Sequence, residues 1–150
     1  MNETENIFDR TIKKLKQQYW ISIAVLTVYF LLILFDLTHH FFEKVEISVV
    51  LERYVIVISI IAIPVALKLF ADTIKRAPPT SNIDLVIKKY IKASNIRLYT
   101  INAVTLMNII LYSLSRNMNF FWITIVFFIV YIFCKPSYPE LANLLKNEEN

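Results

Sequence analysis

Four long apolar stretches dominate the sequence and limit the chain to very few kinds of fold. They cover residues 17–35, 47–71, 98–115 and 117–134. Three contain no charged residue, whereas the second contains Glu52, Arg53 and Lys68 towards its ends. A helix rises about 1.5 Å per residue and needs about 20 apolar residues to cross the hydrocarbon of a bilayer. The pattern predicts an all-α, polytopic membrane protein, with residues 1–150 forming a single domain of four transmembrane helices.

Lysine and arginine are distributed unequally among the segments that flank these stretches. Thirteen of the 16 belong to the N-terminal segment, to the C-terminal tail, or to the link between the second and third stretches together with Lys68 beside it. The other three are Lys44, Arg53 and Arg116. Cytoplasmic segments of membrane proteins carry an excess of Lys and Arg. The distribution therefore predicts that both termini are cytoplasmic, and we expect the plasma (inner) membrane of a bacterium. The net charge of +4 reflects this topology and does not point to nucleic acid.

Amphipathic segments flank the apolar stretches and predict short cytoplasmic helices. Phe8, Ile12, Leu15 and Tyr19 share one face of a predicted cytoplasmic helix that runs straight into the first stretch. After Pro78-Pro79, a second helix is predicted to precede the third stretch, and the tail from residue 139 to residue 146 is predicted to form a third. On the second of these helices, three cations are expected to hold the membrane surface through anionic lipid. They are Lys88, Lys89 and Lys92.

The third stretch carries a stripe of polar side chains. Asn102, Thr105, Asn108 and Tyr112 fall on one half of the helical circumference, with Arg97 at the cytoplasmic end. Polar groups inside a membrane must find partners in protein or water. The stripe is therefore either a contact between helices or the lining of a water-filled path. Glu52, in the second stretch, is a further candidate for the path or for anchoring at headgroup depth.

A histidine-containing segment follows the first stretch on the predicted outer side. If it is helical, Asp36 and His40 stack one turn apart, as do His39 and Glu43. These are suitable ligands for a divalent transition metal, although a solvated polar turn would have the same composition. The segment is therefore a weak candidate for a metal site.

Glycine is absent from the sequence, and its absence excludes several functional classes. Gly-rich phosphate loops cannot be built, and neither can the GxxxG motif of helix dimers. Cys134 is the single cysteine, so no intrachain disulfide forms. The only histidines, His39 and His40, adjoin each other in the outer segment, so a serine hydrolase site lacks support. No cofactor is expected, and catalysis stays an open but less favoured possibility.

Three functions remain as hypotheses, and the sequence favours the first of them. The first is a pore or transport component for ions or a small solute, built from several copies because a 17.7 kDa bundle can barely enclose a path. The second is an accessory, regulatory or toxin-immunity protein that binds another membrane protein. The third is a metal-dependent membrane enzyme. The expected partners are membrane lipids and either further copies of the chain or another membrane protein.

Overall fold

The structure, a computed structural model, describes residues 3–35, 45–75 and 83–146, and these residues are helical apart from short connecting segments such as 45–48, 116–117 and 134–137. Side chains are described for residues 6–35, 45–75 and 83–142. The helices in these ranges are α1 (Glu3–Leu34), α2 (Val49–Lys75), α3 (Ile83–Ser115), α4 (Met118–Phe133) and α5 (Tyr138–Lys146).

Three of the helices are long and apolar enough to cross a membrane. The segments that meet this requirement are Asn6–Leu34, Val49–Lys75 and Ile83–Ser115. Helix α4 is apolar but has only 16 residues, which is just below the usual length of a membrane-spanning helix. The described residues therefore support a helical membrane protein with three candidate spans.

Helix α3 is longer than the predicted third stretch. The sequence predicts a separate amphipathic helix ahead of residue 98, whereas the structure has one unbroken helix from Ile83 to Ser115. No Pro or Gly occurs between these two residues, so nothing in the local sequence interrupts the backbone hydrogen bonds. At 33 residues α3 is about 50 Å long, well beyond the hydrocarbon thickness of about 30 Å.

Helix α3 is also the centre of the bundle, because it packs against each of the other described helices. Two groups of buried apolar side chains hold the bundle together. The larger group lies along α1–α4 and includes Ile33, Ile101, Ile109, Phe120 and Phe127. The smaller group joins the first halves of α1 and α3 to α5, and consists of Phe8, Ile12, Leu15, Ile87, Tyr90 and Leu141.

One end of the bundle therefore contains the start of α1, the start of α3 and all of α5. Phe70 brings the last part of α2 to the same end, where its ring lies 6.4 Å from that of Tyr90. We call this the basic end, since Arg10, Lys14 and Lys88 are exposed there.

At the opposite end, Arg116 directly follows the last residue of α3 and has a backbone φ of 53°. Glycine usually takes this left-handed position after a helix, and here a chain without glycine uses arginine. The Arg116 amide donates to the Tyr112 carbonyl at 2.8 Å, and its guanidinium donates to the Ile33 carbonyl at 3.0 Å, near the end of α1. Asn117 then caps α4 by accepting a hydrogen bond from the Asn119 amide.

Candidate functional site

The two asparagines of the predicted polar stripe face different helices. Asn102 donates through Nδ2 to the Ser22 hydroxyl of α1 at 3.2 Å. Asn108, which is fully buried, donates to the Ser59 hydroxyl of α2 at 2.8 Å and to the carbonyl of Val104 at 2.9 Å. The bond to a carbonyl requires a donor, so it settles the orientation of the Asn108 amide. The asparagines thus link α3 to α1 and to α2.

Both amides keep one polar atom without a partner. The Oδ1 atoms of Asn102 and Asn108 are buried and accept no hydrogen bond from any of the described residues. An orphaned buried acceptor costs about 1–3 kcal/mol. These oxygens are the unsatisfied part of the stripe.

Thr105 and Tyr112 are turned into the bundle. The Thr105 hydroxyl donates to the carbonyl of Ile101 in its own helix at 2.7 Å. Tyr112 lies among aromatic rings, with centroid distances of 6.2 Å to Phe30 and 5.7 Å to Phe121. Thr105 is therefore satisfied by its own backbone, whereas Tyr112 packs against α1 and α4.

Arg97 forms a buried ion pair at the basic end. It is 4% exposed, and its Nη1 lies 3.1 Å from Oε1 of Glu140, in the first turn of α5. Its Nη2 donates to the Cys134 carbonyl at 3.1 Å. The face of the Phe70 ring covers the guanidinium, with 4.0 Å from Cζ to the ring centroid. Arg97 thus connects α3 to the last part of α2, to the end of α4 and to α5.

Tyr90 forms a hydrogen bond with the carboxylate that pairs with Arg97. Its hydroxyl donates to Oε2 of Glu140 at 2.8 Å, and it accepts from the Ser137 amide at 3.3 Å. One carboxylate therefore receives hydrogen bonds from both a cation and a phenol. Such charge-assisted bonds are stronger than neutral ones. We call Phe70, Tyr90, Arg97 and Glu140 the basic-end cluster.

Glu52 lies near the start of α2, at the end of the bundle opposite the basic end. Its carboxylate accepts a hydrogen bond from the side-chain amide of Asn119, which links α2 to α4. The structure therefore separates Glu52 from Arg97 and from both asparagines.

The three lysines predicted to hold lipid differ in their surroundings. Lys88 and Lys92 are exposed. Lys89 is half-buried, and its Nζ is buried without a hydrogen-bond partner within the described ranges. The structure therefore exposes Lys88 and Lys92 but turns Lys89 inwards.

Two pockets lie one after the other along the contact between α1 and α3, and together we call them the groove between α1 and α3. The part nearer the basic end, about 360 Å³, is lined by Arg10, Thr11, Lys14, Leu15, Gln18, Ile91 and Asn95. The next part, about 450 Å³, is lined mainly by apolar side chains, with Ser22 and Asn102 as its polar members. Gln18 of the first part and Ser22 of the second are one helical turn apart. We call the two parts the basic pocket and the apolar groove.

The predicted metal candidates Asp36, His39, His40 and Glu43 lie outside the described residues. Within the part of the chain that the structure describes, no group of three or more His, Cys, Asp or Glu side chains is placed to hold a metal ion.

The sequence did not reveal Tyr90, Glu140 or Phe70 as partners of Arg97. A signal was present in the tail, where Pro139 starts a short helix and Glu140 occupies its first turn. Its apolar face predicts that this helix packs, but no helical pattern identifies a partner 43 residues away. The basic-end cluster therefore could not be predicted from the sequence and is identified only from the structure.

Comparisons with models of known protein families, with curated proteins and with solved structures found no match. The functional argument accordingly depends on the geometry of this chain.

Proposed function

We propose that the chain crosses the membrane four times, with both termini in the cytoplasm of a bacterial cell. Packing of Phe8, Ile87 and Leu141 into one group supports this topology, because it brings the start of α1 and all of α5 to the same end. An even number of crossings is needed to return the chain to that end. The exposed cations of this end support its cytoplasmic placement through the positive-inside rule.

The short α4 fits this topology. Only residues 116 and 117 separate it from α3, and the two helices pack together, as antiparallel neighbours do. Its 16 residues extend about 24 Å, and the uncharged flanking residues Asn117 and Cys134 add to the apolar length. Local thinning of the bilayer accommodates a mismatch of this size at modest cost.

Within this topology, we propose that the protein is a non-enzymatic accessory that binds another membrane protein. The observation that carries the proposal is the use of the polar side chains of α3 inside a single chain. Asn102 forms a hydrogen bond to α1, Asn108 forms one to α2, and Arg97 forms an ion pair with α5. The membrane-facing surface is instead apolar, with Val57, Ile61 and Ile132 among its exposed side chains. Such a surface suits contact with lipid and with other transmembrane helices more than a path for ions.

Flux measurements test the accessory function directly. The purified chain in liposomes is expected to leave ion permeability unchanged. In a Cys134→Ser background, cysteines at positions 102, 105 and 108 are expected to resist a membrane-impermeant thiol reagent, as cysteines at 104 and 110 should. Ion leakage together with labelling confined to 102, 105 and 108 would overturn the proposal.

Photo-crosslinking in cells provides the positive test. A photoreactive residue replacing exposed Ile132 or Val57 is expected to give an adduct containing a different membrane protein, identified by mass spectrometry. A matched position in the buried core, Phe127, should give none. Adducts whose masses are only multiples of the chain mass of 17.7 kDa would instead favour self-assembly.

A homo-oligomeric pore is the second candidate, and the orphaned Asn102 and Asn108 oxygens favour it. They lie six residues apart on α3, so about 9 Å separates them along the axis. Water or a solute could satisfy both if copies of the chain enclosed a path. In that case Asn102→Leu and Asn108→Leu should abolish flux while the assembled oligomer persists.

A further inference from the structure

Polarity along the groove between α1 and α3 changes in one direction. The basic pocket contains Arg10, Lys14, Gln18 and Asn95. One turn further along both helices, the apolar groove begins with Ile21 on α1 and Tyr99 on α3. Any occupant of the whole groove must therefore be polar at one end and apolar at the other.

The charge of the basic pocket defines the polar end of that occupant. Arg10, Lys14 and Gln18 succeed one another at intervals of four residues, so their side chains share one face of α1. Arg10 and Lys14 are exposed, and none of the described residues lining the pocket is acidic. Two cations beside amide donors suit a phosphate group.

The apolar groove defines the other end. Val25, Leu26, Ala103 and Leu106 line it, and Ala103 leaves room because its side chain is small. From Lys14 to Val25 the groove extends about 16 Å along the helix. That length accommodates a headgroup, a glycerol backbone and the upper part of an acyl chain.

Trp20 marks the depth at which the polarity changes. Trp20 is 55% exposed. Along α1 it lies between Gln18, the last α1 residue of the basic pocket, and Ile21, the first α1 residue of the apolar groove. Lys135 lies over its ring, with Nζ 5.6 Å from the centroid. Tryptophan prefers the interface between headgroups and hydrocarbon. The basic pocket thus lies at headgroup level and the apolar groove at acyl-chain level.

We propose that the groove between α1 and α3 binds one anionic phospholipid, with its phosphate at Arg10 and Lys14 and an acyl chain along Val25 and Ala103. The proposed topology places this lipid in the cytoplasmic leaflet. A second copy of the chain fits less well. A symmetric contact of this face with itself would bring Arg10 and Lys14 of both copies together, and the like charges would repel.

Quenching of tryptophan fluorescence by brominated lipid tests the site. A Trp122→Phe background leaves Trp20 as the only tryptophan. In phosphatidylcholine vesicles, brominated phosphatidylglycerol is expected to quench Trp20 at lower mole fraction than brominated phosphatidylcholine. Each cation near an anionic surface contributes about 1 kcal/mol, which is about fivefold in affinity. Arg10→Gln with Lys14→Gln should therefore reduce the preference for the anionic lipid by up to about 25-fold.

Two matched variants distinguish lipid binding in the groove from general electrostatic attraction between anionic lipid and exposed cations. Lys13→Gln with Lys92→Gln removes the same charge from exposed residues outside the pocket, and should change the preference by less than about twofold. Ala103→Phe fills the apolar groove and leaves every cation in place. It should reduce quenching by both lipids, and native mass spectrometry should show loss of a bound phospholipid. Circular dichroism verifies that each variant remains folded.

Four results would overturn the proposal. Equal effects of the two charge-removing pairs would show attraction to the surface in general, and equal quenching by both lipids would show no headgroup preference. Relief of quenching by glycerol phosphate, with Ala103→Phe unaffected, would show a site for soluble phosphate. Disulfide crosslinking of an Ala103→Cys chain, in the Cys134→Ser background, would show a second copy in the groove.

Discussion

Replacing Glu140 with glutamine should destabilise the protein more than any other substitution of a half-exposed carboxylate. The glutamine retains an acceptor for the Tyr90 hydroxyl but removes the charge that faces the Arg97 guanidinium at 3.1 Å. Arg97 is 4% exposed and Glu140 is 29% exposed, so the arginine is left as a buried cation without its counter-ion.

The exposure of Arg97 and Glu140 determines how much the free energy of unfolding falls. Breaking a buried pair from one side costs about 3–5 kcal/mol. Water reaches Glu140 in part, and the Cys134 carbonyl and the Phe70 ring still stabilise Arg97. We therefore expect Glu140→Gln to lower the free energy of unfolding by about 2–3 kcal/mol.

A double-mutant cycle distinguishes loss of the pair from loss of either residue. Replacing both residues, Arg97→Met with Glu140→Leu, removes the stranded charge and should cost less than about 1 kcal/mol relative to the parent. Measured together with the single substitutions Arg97→Met and Glu140→Leu, the double variant should give a coupling energy of about 1–3 kcal/mol. Unfolding in mixed micelles by a denaturing detergent, followed by far-ultraviolet circular dichroism, measures each free energy.

Glu46→Gln is the control, because Glu46 is an exposed carboxylate at the opposite end. It should change the unfolding free energy by less than about 0.5 kcal/mol. If Glu140→Gln were as mild as this control, or if the two cluster substitutions were additive, the ion pair would not be what holds α5 to the bundle.

Three further substitutions test other contacts by the same unfolding measurement. Asn108→Leu should cost no more than about 1–2 kcal/mol, because the bond lost to Ser59 is offset by removal of the orphaned oxygen. Arg116→Ala should be less stable than Arg116→Gly by about 1 kcal/mol, because both lose the guanidinium but only alanine resists the φ of 53°. Lys89→Met should stabilise the protein relative to Lys88→Met, because Nζ is buried without a described partner only in Lys89. Equal effects of the members of either matched pair would contradict the corresponding explanation.

Apolar periodicity predicted the helical class and most of the helical stretches. The third stretch, 98–115, lies wholly within α3, and the fourth, 117–134, exceeds α4 by one residue at each end. The apolar face that contains Phe8, Ile12 and Leu15 is buried against α3 and α5. Periodicity describes one helix at a time, so these features were accessible from the sequence.

The partners of the polar side chains were not accessible in this way. The stripe on α3 predicts that Asn102 and Asn108 need partners, yet a helical wheel does not say which neighbour supplies them. Ser22 and Ser59 are ordinary serines in apolar surroundings, 80 and 49 residues away along the chain. Their selection depends on how α1 and α2 pack around α3, which is a property of the whole bundle.

The two parts of the bundle are held together by different forces. Helices α1 and α3 are about 48 and 50 Å long, so roughly 20 Å of each extends beyond a hydrocarbon layer of about 30 Å. In the proposed topology, the group formed by Phe8, Tyr90 and Leu141 lies in these extensions, where water provides a hydrophobic driving force. Inside the bilayer that force is absent, because lipid tails are as apolar as the side chains.

This difference explains where the polar contacts occur. In the proposed topology, α3 contacts each of α1 and α2 at membrane level through one amide–hydroxyl hydrogen bond, worth only about 0.6 kcal/mol on average in a membrane. The basic end instead combines an ion pair, a phenol and a covering aromatic ring with an apolar core. The basic end therefore fixes the positions of α1, α3 and α5 relative to one another, and the membrane-level helices are left with weaker mutual contacts. The phospholipid that we propose between α1 and α3 would compete only with those weaker contacts, while the basic end keeps the bundle assembled.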